Sequence, residues 1–520
     1  MAGKQRQRSA APERHERMSA VDTAWLRMDG AGNTMMIVSV MASATPIRAA
    51  DLRQVIATRL LCFPRFLRRP VPDPLGASWH QQADFDLDAH FVVTQLPEPA
   101  GKAELQQLAA RLAGERLDPG RPLWQVHFVE HYGSGSAWVL RVHHCYADGM
   151  AMVRVLLSLT EQDSGPAFAA AQVAASRRVR RAEEGDSRGA APRPLMQWLD
   201  HLTQPAGDIL ENALAEGARL LESGVHQLFH PDDAAQLAAQ ASGMVGEFAR
   251  VLGLPDDPAT PLRGALSGAK QVGWSAPLEL ADVKTVGKAL GCTVNDVLMA
   301  TVAGALGAHL RDAHAFDTAN LVLRASVPIN LRAAEEPMAL GNKFGLVFVD
   351  LPVGTGNPLQ RVFRMHDTMT ALKGSLQPPM SLLVLGMMGM MPSALQAPAI
   401  ELFSRKGTLV ASNVPGPQAP LYLCGQRISE MYFWVPQSGS MGIGISILSY
   451  AGKVFFGIIA DRNLLPEPGA VVDRFGPEFE RLLLGATVGL LALGERRSAR
   501  ATSHARAKVG RQKKSPVGYT

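Results

Sequence analysis

The densest run of chemically capable side chains is His143-His144-Cys145-Tyr146-Ala147-Asp148-Gly149. It follows an alternating apolar segment and precedes an apolar helical one, which places it at a strand end just before a helix. A neutral imidazole, whose unperturbed pKa is near ~6.5, is suited to taking a proton from a hydroxyl or thiol at neutral pH. Strand side chains alternate faces, so Trp138, Leu140, Val142 and His144 share one side while Val139, Arg141 and His143 share the other. Only one of the two histidines can then readily meet a substrate. Asp148 could orient the site, neutralise an arginine, or N-cap the following helix, and Gly149 permits a tight backbone approach. The histidine pair could equally be structural. No metal site is expected, because alternation splits the two histidines and no further ligand cluster accompanies Asp148.

Other devices are missing. The chain has no G-x-S-x-G, no G-x-x-x-x-G-K-[ST], no H-E-x-x-H, and no G-x-G-x-x-G in a strand context. Serine hydrolase, NTPase and zincin chemistry therefore fall away.

The elements that must hold the histidine run are legible around it. Leu123 to Glu130 alternates as a strand, YGSGS turns it, and Ala137 to His144 returns, as in a β-hairpin. AMVRVLLSL then reads as a helix. Upstream, Ser19 can cap a helix with Asp22 three residues later, putting Val21, Trp25 and Met28 on one face. Downstream, TVNDVLMATVAGALGAHL reads as a helix, and LVLRASVPI, GLVFVDL, GISILSY and KVFFGII read as strands. Two mixed α/β halves fit this order better than a doubly wound parallel sheet. Residues 162–197 are rich in small, charged and proline residues without apolar periodicity, so they are expected to link a domain at 18–161 to another at 198–495.

At 520 residues and 47% apolar content the chain has material for a large core of more than one domain. Four cysteines without a C-x-x-C pair exclude a disulfide framework and a thiolate zinc site, and point to a reducing compartment. The net charge of +5 is carried by the tails: residues 1–17 contribute +3 and residues 496–520 contribute +8, leaving the body near −6. Such tails read as solvated and disordered, or as arms for an anionic membrane or lipid-droplet surface, where each Lys or Arg contributes about 1 kcal/mol. Nothing supports base readout, so no nucleic-acid partner is expected. Without an apolar leader or an uninterrupted spanning run, the expected location is cytoplasmic, with peripheral membrane contact.

H-H-x-x-x-D-G resembles the signature of the CoA-dependent acyltransferase superfamily. That group includes chloramphenicol acetyltransferase, peptide-synthetase condensation domains and the bacterial wax ester synthase/diacylglycerol acyltransferases. LDPGRPLW (Leu117 to Trp124), the opening SAVDTAWLRMD, TVNDVLMA, SVPINLR followed by Leu340-Gly341-Asn342, and SNVPGP (Ser412 to Pro417) resemble the last of these, in order, across residues 18–490. Two positions depart from that pattern. Met36 stands where the family usually has histidine, and Asn330 where a small serine is common.

The resemblance implies two chloramphenicol-acetyltransferase-like domains with an active-site channel between them. It implies that His144 takes the proton from an acceptor alcohol, a diacylglycerol or a long-chain fatty alcohol, whose oxygen then attacks a fatty acyl-CoA thioester. No cofactor is called for beyond acyl-CoA as co-substrate. It further implies a buried His143 and a structural Asp148 with Arg332 as its partner. Asn295 is a candidate for the oxyanion or for substrate positioning, although T-x-x-D places it in a first helical turn where Asn is often merely solvated. Asn413 reads as a turn residue shaping the channel. The methionine-rich Met380 to Pro392 fits either a buried helix or a wall against lipid. Two further readings stand beside this one: a condensation-type acyltransferase using carrier-bound acyl groups, and a non-catalytic lipid-binding or droplet-coating protein.

Overall fold

The hairpin that carries the histidine run forms as its alternation requires. In the computed structural model, which describes residues 16–30, 32–74, 76–161, 243, 246–332 and 340–488, seven strands precede residue 162. They are β1 (Glu16–Arg17), β2 (Met36–Ser43), β3 (Arg68–Asp73), β4 (Gly76–Gln81), β5 (Phe91–Thr94), β6 (Trp124–Tyr132) and β7 (Gly135–His143). With them come helices α1 (Ala20–Met28), α2 (Ala49–Thr58), α3 (Lys102–Gly114) and α4 (Gly149–Leu159). Nine strands follow: β8 (Lys270–Trp274), β9 (Leu278–Glu279), β10 (Leu323–Asn330), β11 (Phe344–Leu351), β12 (Leu409–Pro415), β13 (Tyr422–Leu423), β14 (Gln426–Trp434), β15 (Ile443–Tyr450) and β16 (Lys453–Asp461). Their helices include α5 (Leu280–Leu290), α6 (Val294–His314), α7 (Pro358–Ala371), α8 (Gln377–Met390) and α9 (Ser393–Ser404).

Two mixed sheets organise the molecule. One has the order β13-β14-β2-β7-β6-β5, the other β11-β10-β12-β15-β16-β8 with β9 also on β16, and a small third sheet is β1-β4-β3. Each large sheet backs its own hydrophobic core. The first gathers α1 to α4; the second surrounds α6, whose residues from Asp296 to Leu310 are all buried.

The halves of the sequence are not the halves of the structure. β14 pairs antiparallel with β2, from Trp434 opposite Val38 to Ile428 opposite Ser43, so a hairpin from residues 422–434 completes the first sheet. A strand's pattern shows that it has a buried face, not which edge accepts it. This corrects a division of the fold into 18–161 and 198–495. Glu16 and Arg17, read as part of the tail, pair with Trp79 and Ser78 of β4. The rest of both tails, the 162–197 linker and residues 198–242, 244 and 245 lie outside the described residues.

Candidate active site

β7 ends at His143, one residue earlier than the alternation suggested, and His144 opens the turn into α4. The turn is tied down by its own atoms and its neighbours. His144 N donates to the Met35 carbonyl at 2.7 Å, Tyr146 N donates to the His143 carbonyl at 3.0 Å, and Tyr146 Oη accepts from Leu123 N at 2.9 Å. The two imidazoles part company here. His143 Nδ1 accepts from Cys145 N at 3.2 Å, and its Nε2 is buried without a partner. Burial pushes His143 down to about 4.

The His144 ring packs in a cluster with two aromatic rings, which also stack on each other at 5.8 Å. Trp25 of α1 stacks on it at 4.2 Å between centroids and 23° between planes, and Phe344, the first residue of β11, lies 5.4 Å away at 51°. Its Nδ1 is sealed inside the protein and makes no hydrogen bond of ordinary geometry. Burial also pushes His144 down to about 4, outweighing the nearby Asp148 carboxylate, which acts to raise it. The imidazole is therefore neutral at physiological pH.

Asp148 is fully occupied. Oδ1 caps α4 by accepting from Ala151 N at 2.8 Å, while Oδ2 accepts from Arg332 Nε at 3.1 Å, Arg332 Nη2 at 2.8 Å and Lys343 N at 2.9 Å. Capping and arginine neutralisation, alternatives in the sequence, are both realised, one on each oxygen. Both side chains are buried, at 3% and 4% exposure. Arg332 Nη2 also donates to the Gly341 carbonyl at 2.5 Å, and Asp148 N donates to the same oxygen at 3.2 Å. Gly341 has φ +126°, a conformation that L side chains rarely adopt, which accounts for glycine at this meeting point.

The residue after it, Asn342, was given no role by sequence reasoning. Its Nδ2 donates to the His144 carbonyl at 2.7 Å and to Asp22 Oδ1 at 2.8 Å, and its N donates to Asp22 Oδ1 at 3.1 Å. Asp22 is buried, which raises its pKa against the opposing Arg65. Trp25, Asp22, Asn342 and Phe344 all belong to the site, and periodicity marked only Trp25, as a core face. The partial signal for the rest was the ordered Leu340-Gly341-Asn342 segment.

The remaining candidates, Asn295 and Asn413, meet each other. Asn413 Nδ2 donates to Asn295 Oδ1 at 2.7 Å, so the structure joins these two. Asn413 is a strand residue of β12, opposite Ile447 of β15, and not the turn residue expected. Asn295 does lie in the first turn of α6, behind the Thr293–Asp296 capping box. No close approach to Gly149 is made: outside its chain neighbours and its own helix backbone, a Cβ built there meets no described atom within 4 Å. α8 is partly core, with Met380 and Met388 buried, and partly surface, with Met387 at 42% and Met390 at 60% exposure.

Two family models match this chain: the wax ester synthase/diacylglycerol acyltransferase catalytic domain over residues 18–298, and the WS/DGAT C-terminal domain over residues 340–483. The chain belongs to the wax ester synthase/diacylglycerol acyltransferase family. It is similar to a protein of Mycobacterium tuberculosis named as a diacylglycerol O-acyltransferase, tgs1, at 29% identity over 476 residues, covering 88% of this chain and 91% of the relative. A second M. tuberculosis protein with a diacylglycerol O-acyltransferase name is 29% identical over 463 residues, covering 84% and 83%. Among solved structures, the wax ester synthase/diacylglycerol acyltransferase of Marinobacter aquaeolei VT8 superposes with a TM-score of 0.62 at 20% identity, covering 91% of this chain and all of that one. The starter condensation domain of rhizomide synthetase has a TM-score of 0.52 at 14% identity, covering 91% and 94%. The mixed α/β fold is the one shared by these acyltransferase and condensation domains. This family member is an acyltransferase, an enzyme class that moves an acyl group from acyl-CoA to a diacylglycerol or a long-chain alcohol.

Proposed function

We propose that His144 is the general base of this transferase, acting through Nε2 on the hydroxyl of a diacylglycerol or long-chain fatty alcohol. The observation that carries the reading is the state of the imidazole: neutral, with Nδ1 sealed away and its ring packed against Trp25 and Phe344. Nε2 takes the hydroxyl proton as the oxygen attacks the thioester carbonyl. The C–S bond then breaks, the imidazolium returns the proton to sulfur, and ester and free CoA leave. The chain's own residues suffice for this sequence with acyl-CoA as co-substrate.

Asp148 is assigned to holding the loop, because its oxygens are spent on Arg332, Lys343 and the α4 cap. His143 is assigned to the turn, and the Asn295–Asn413 pair to shaping the channel wall. The basic tails are proposed to add peripheral contact with an anionic membrane or droplet at the cytoplasmic face. No single helix among the described residues is long and apolar enough to cross a membrane.

The test is a two-acceptor assay. Purified protein and His144→Ala receive palmitoyl-CoA with either hexadecanol or a diacylglycerol, and ester and free CoA are followed. A positioned base contributes about 10²- to 10⁴-fold, so the variant should lose that much with an unchanged circular dichroism spectrum. Full activity in the variant would overturn the assignment.

A further inference from the structure

Ser39 lies in the middle of β2, paired with Phe433 of β14 on one side and Leu140 of β7 on the other, yet it is the one residue of β2 that is not buried. The exposure of a residue inside a six-stranded sheet means that the space above it is hollow. That hollow is an elongated cavity between the sheet and helices α2 and α4.

Its axis can be read from register. On β7 it is lined by Val142, Leu140 and Trp138; opposite these on β2 stand Ile37, Ser39 and Met41, matched pair by pair. Four residues of strand advance about 14 Å. Along α4 the lining runs from Gly149 to Leu159, and ten residues of helix advance about 15 Å. Both rulers give the same length. One end lies at the candidate active site, since Val142 is two residues before His144 and Gly149 directly follows Asp148. At that end Gly149 is uncrowded: outside its chain neighbours and its own helix backbone, no described atom lies within 4 Å of a Cβ built on it.

The walls carry almost nothing to hydrogen-bond. Ser39 and Tyr432 are the only hydroxyls of the lining, and the Tyr432 hydroxyl donates to the Ser275 carbonyl. An apolar tube of this shape fits a chain of methylenes and rejects a polar headgroup. With C–C bonds of ~1.5 Å at ~111°, an extended alkyl chain advances about 1.25 Å per carbon, so the tube accepts roughly eleven carbons beyond Gly149.

We propose that this cavity holds the long alkyl chain of a substrate end-on, headgroup toward His144 and terminal methyl toward Trp138 and Met41. The proposal deepens the acyltransferase reading and rests on it for the headgroup's position. The chain belongs either to the acyl donor or to the acceptor; the chemistry recognised is the same. Ser39 stands at mid-length, about 7 Å or five to six carbons from the Val142 level.

The experiment fills the tube there. Ser39→Leu, from the sheet, and Val153→Phe, from α4, are assayed with hexanoyl- against palmitoyl-CoA at a fixed acceptor. They are then assayed with hexanol against hexadecanol at a fixed donor. Excluding several methylenes forfeits their burial, so the long-to-short activity ratio should fall at least about tenfold in one of the two series. The series that responds names the source. An unchanged ratio in both, from variants that melt as wild type, overturns the proposal. Cavity and chemistry are separated by direct titration of wild type with cis-parinaric acid. Fluorescent binding that palmitate or hexadecanol displaces, and that Ser39→Leu weakens, supports the cavity even if no ester forms. Absence of binding overturns it even if ester does form.

Discussion

Removing Arg332 tests whether the buried pair around the histidine turn is structural. Arg332→Met keeps most of the side-chain volume but strips Asp148 Oδ2 of two of its three donors and leaves the Gly341 carbonyl with Asp148 N alone. The stranded carboxylate stays buried, at 4% side-chain exposure or less. An uncompensated buried charge costs about 3–5 kcal/mol, a large share of a typical stability of about 5–15 kcal/mol. Asp148→Asn instead removes the charge from the side chain that accepts from Arg332 Nε and Nη2, and should also cost stability. The double variant removes both charges, and an asparagine at 148 can still accept from Ala151 N. Its cost should therefore lie within about 2 kcal/mol of either single variant, far short of their sum. Urea midpoints followed by circular dichroism at pH 7.5 measure all four proteins. If the three variants add independently, or if Arg332→Met shifts the midpoint by no more than a surface substitution would, the pair is not the anchor described here. In the conditions where each remains folded, kcat should fall less in the pair variants than in His144→Ala, because neither side chain is assigned to the reacting atoms.

Other outcomes follow from the same geometry. Because His144 is held down to about 4, kcat/KM should stay level from pH 8 to pH 5; an acid limb near ~6.5 would mean a solvated histidine. Stability should move differently: His143 and His144 have folded values below the unfolded one, so the unfolded chain binds protons first, and stability complete above about pH 6.5 declines as pH falls toward 4, by on the order of 3 kcal/mol per histidine. Equal urea midpoints at pH 7.5 and 5 would contradict this. Trp25 should favour the imidazolium formed during transfer through its ring face, so Trp25→Leu should lower kcat roughly 5- to 30-fold and move any acid limb further down, with Trp25→Phe in between. A pure stability loss without a kinetic change would reduce Trp25 to packing. Asn413→Leu should strand the Asn295 amide and raise KM more than it lowers kcat; a selective loss of kcat would make the pair part of the oxyanion site instead.

Local signals placed the chemistry because they act over a few residues. Ser19, Asp148 and Thr293 cap α1, α4 and α6, where a short oxygen acceptor preceded an apolar helix. The hairpin β6–β7 came from period-two alternation around a glycine-containing turn, and it delivers His144 to its place. Family motifs pointed to Arg332, which stands 184 residues from Asp148 in the chain. What no local pattern carries is the identity of a partner across such distances. The Trp25 ring on His144, the Asn342 bridge from Asp22 to the His144 carbonyl, and the insertion of β14 beside β2 each join residues whose own patterns say only that one face is buried.

The sequence by itself determined the elements, their caps and the candidate site residue types, since backbone hydrogen bonding and side-chain periodicity are properties of neighbouring residues. Tertiary structure decided the rest. Burial sets the protonation state of His144, packing spends both oxygens of Asp148, and the space left unfilled over Ser39, between the sheet and helices α2 and α4, makes the hollow beside the histidine. These depend on dielectric, on three-dimensional neighbours and on volume left unfilled, and each of those exists only once distant segments have come together.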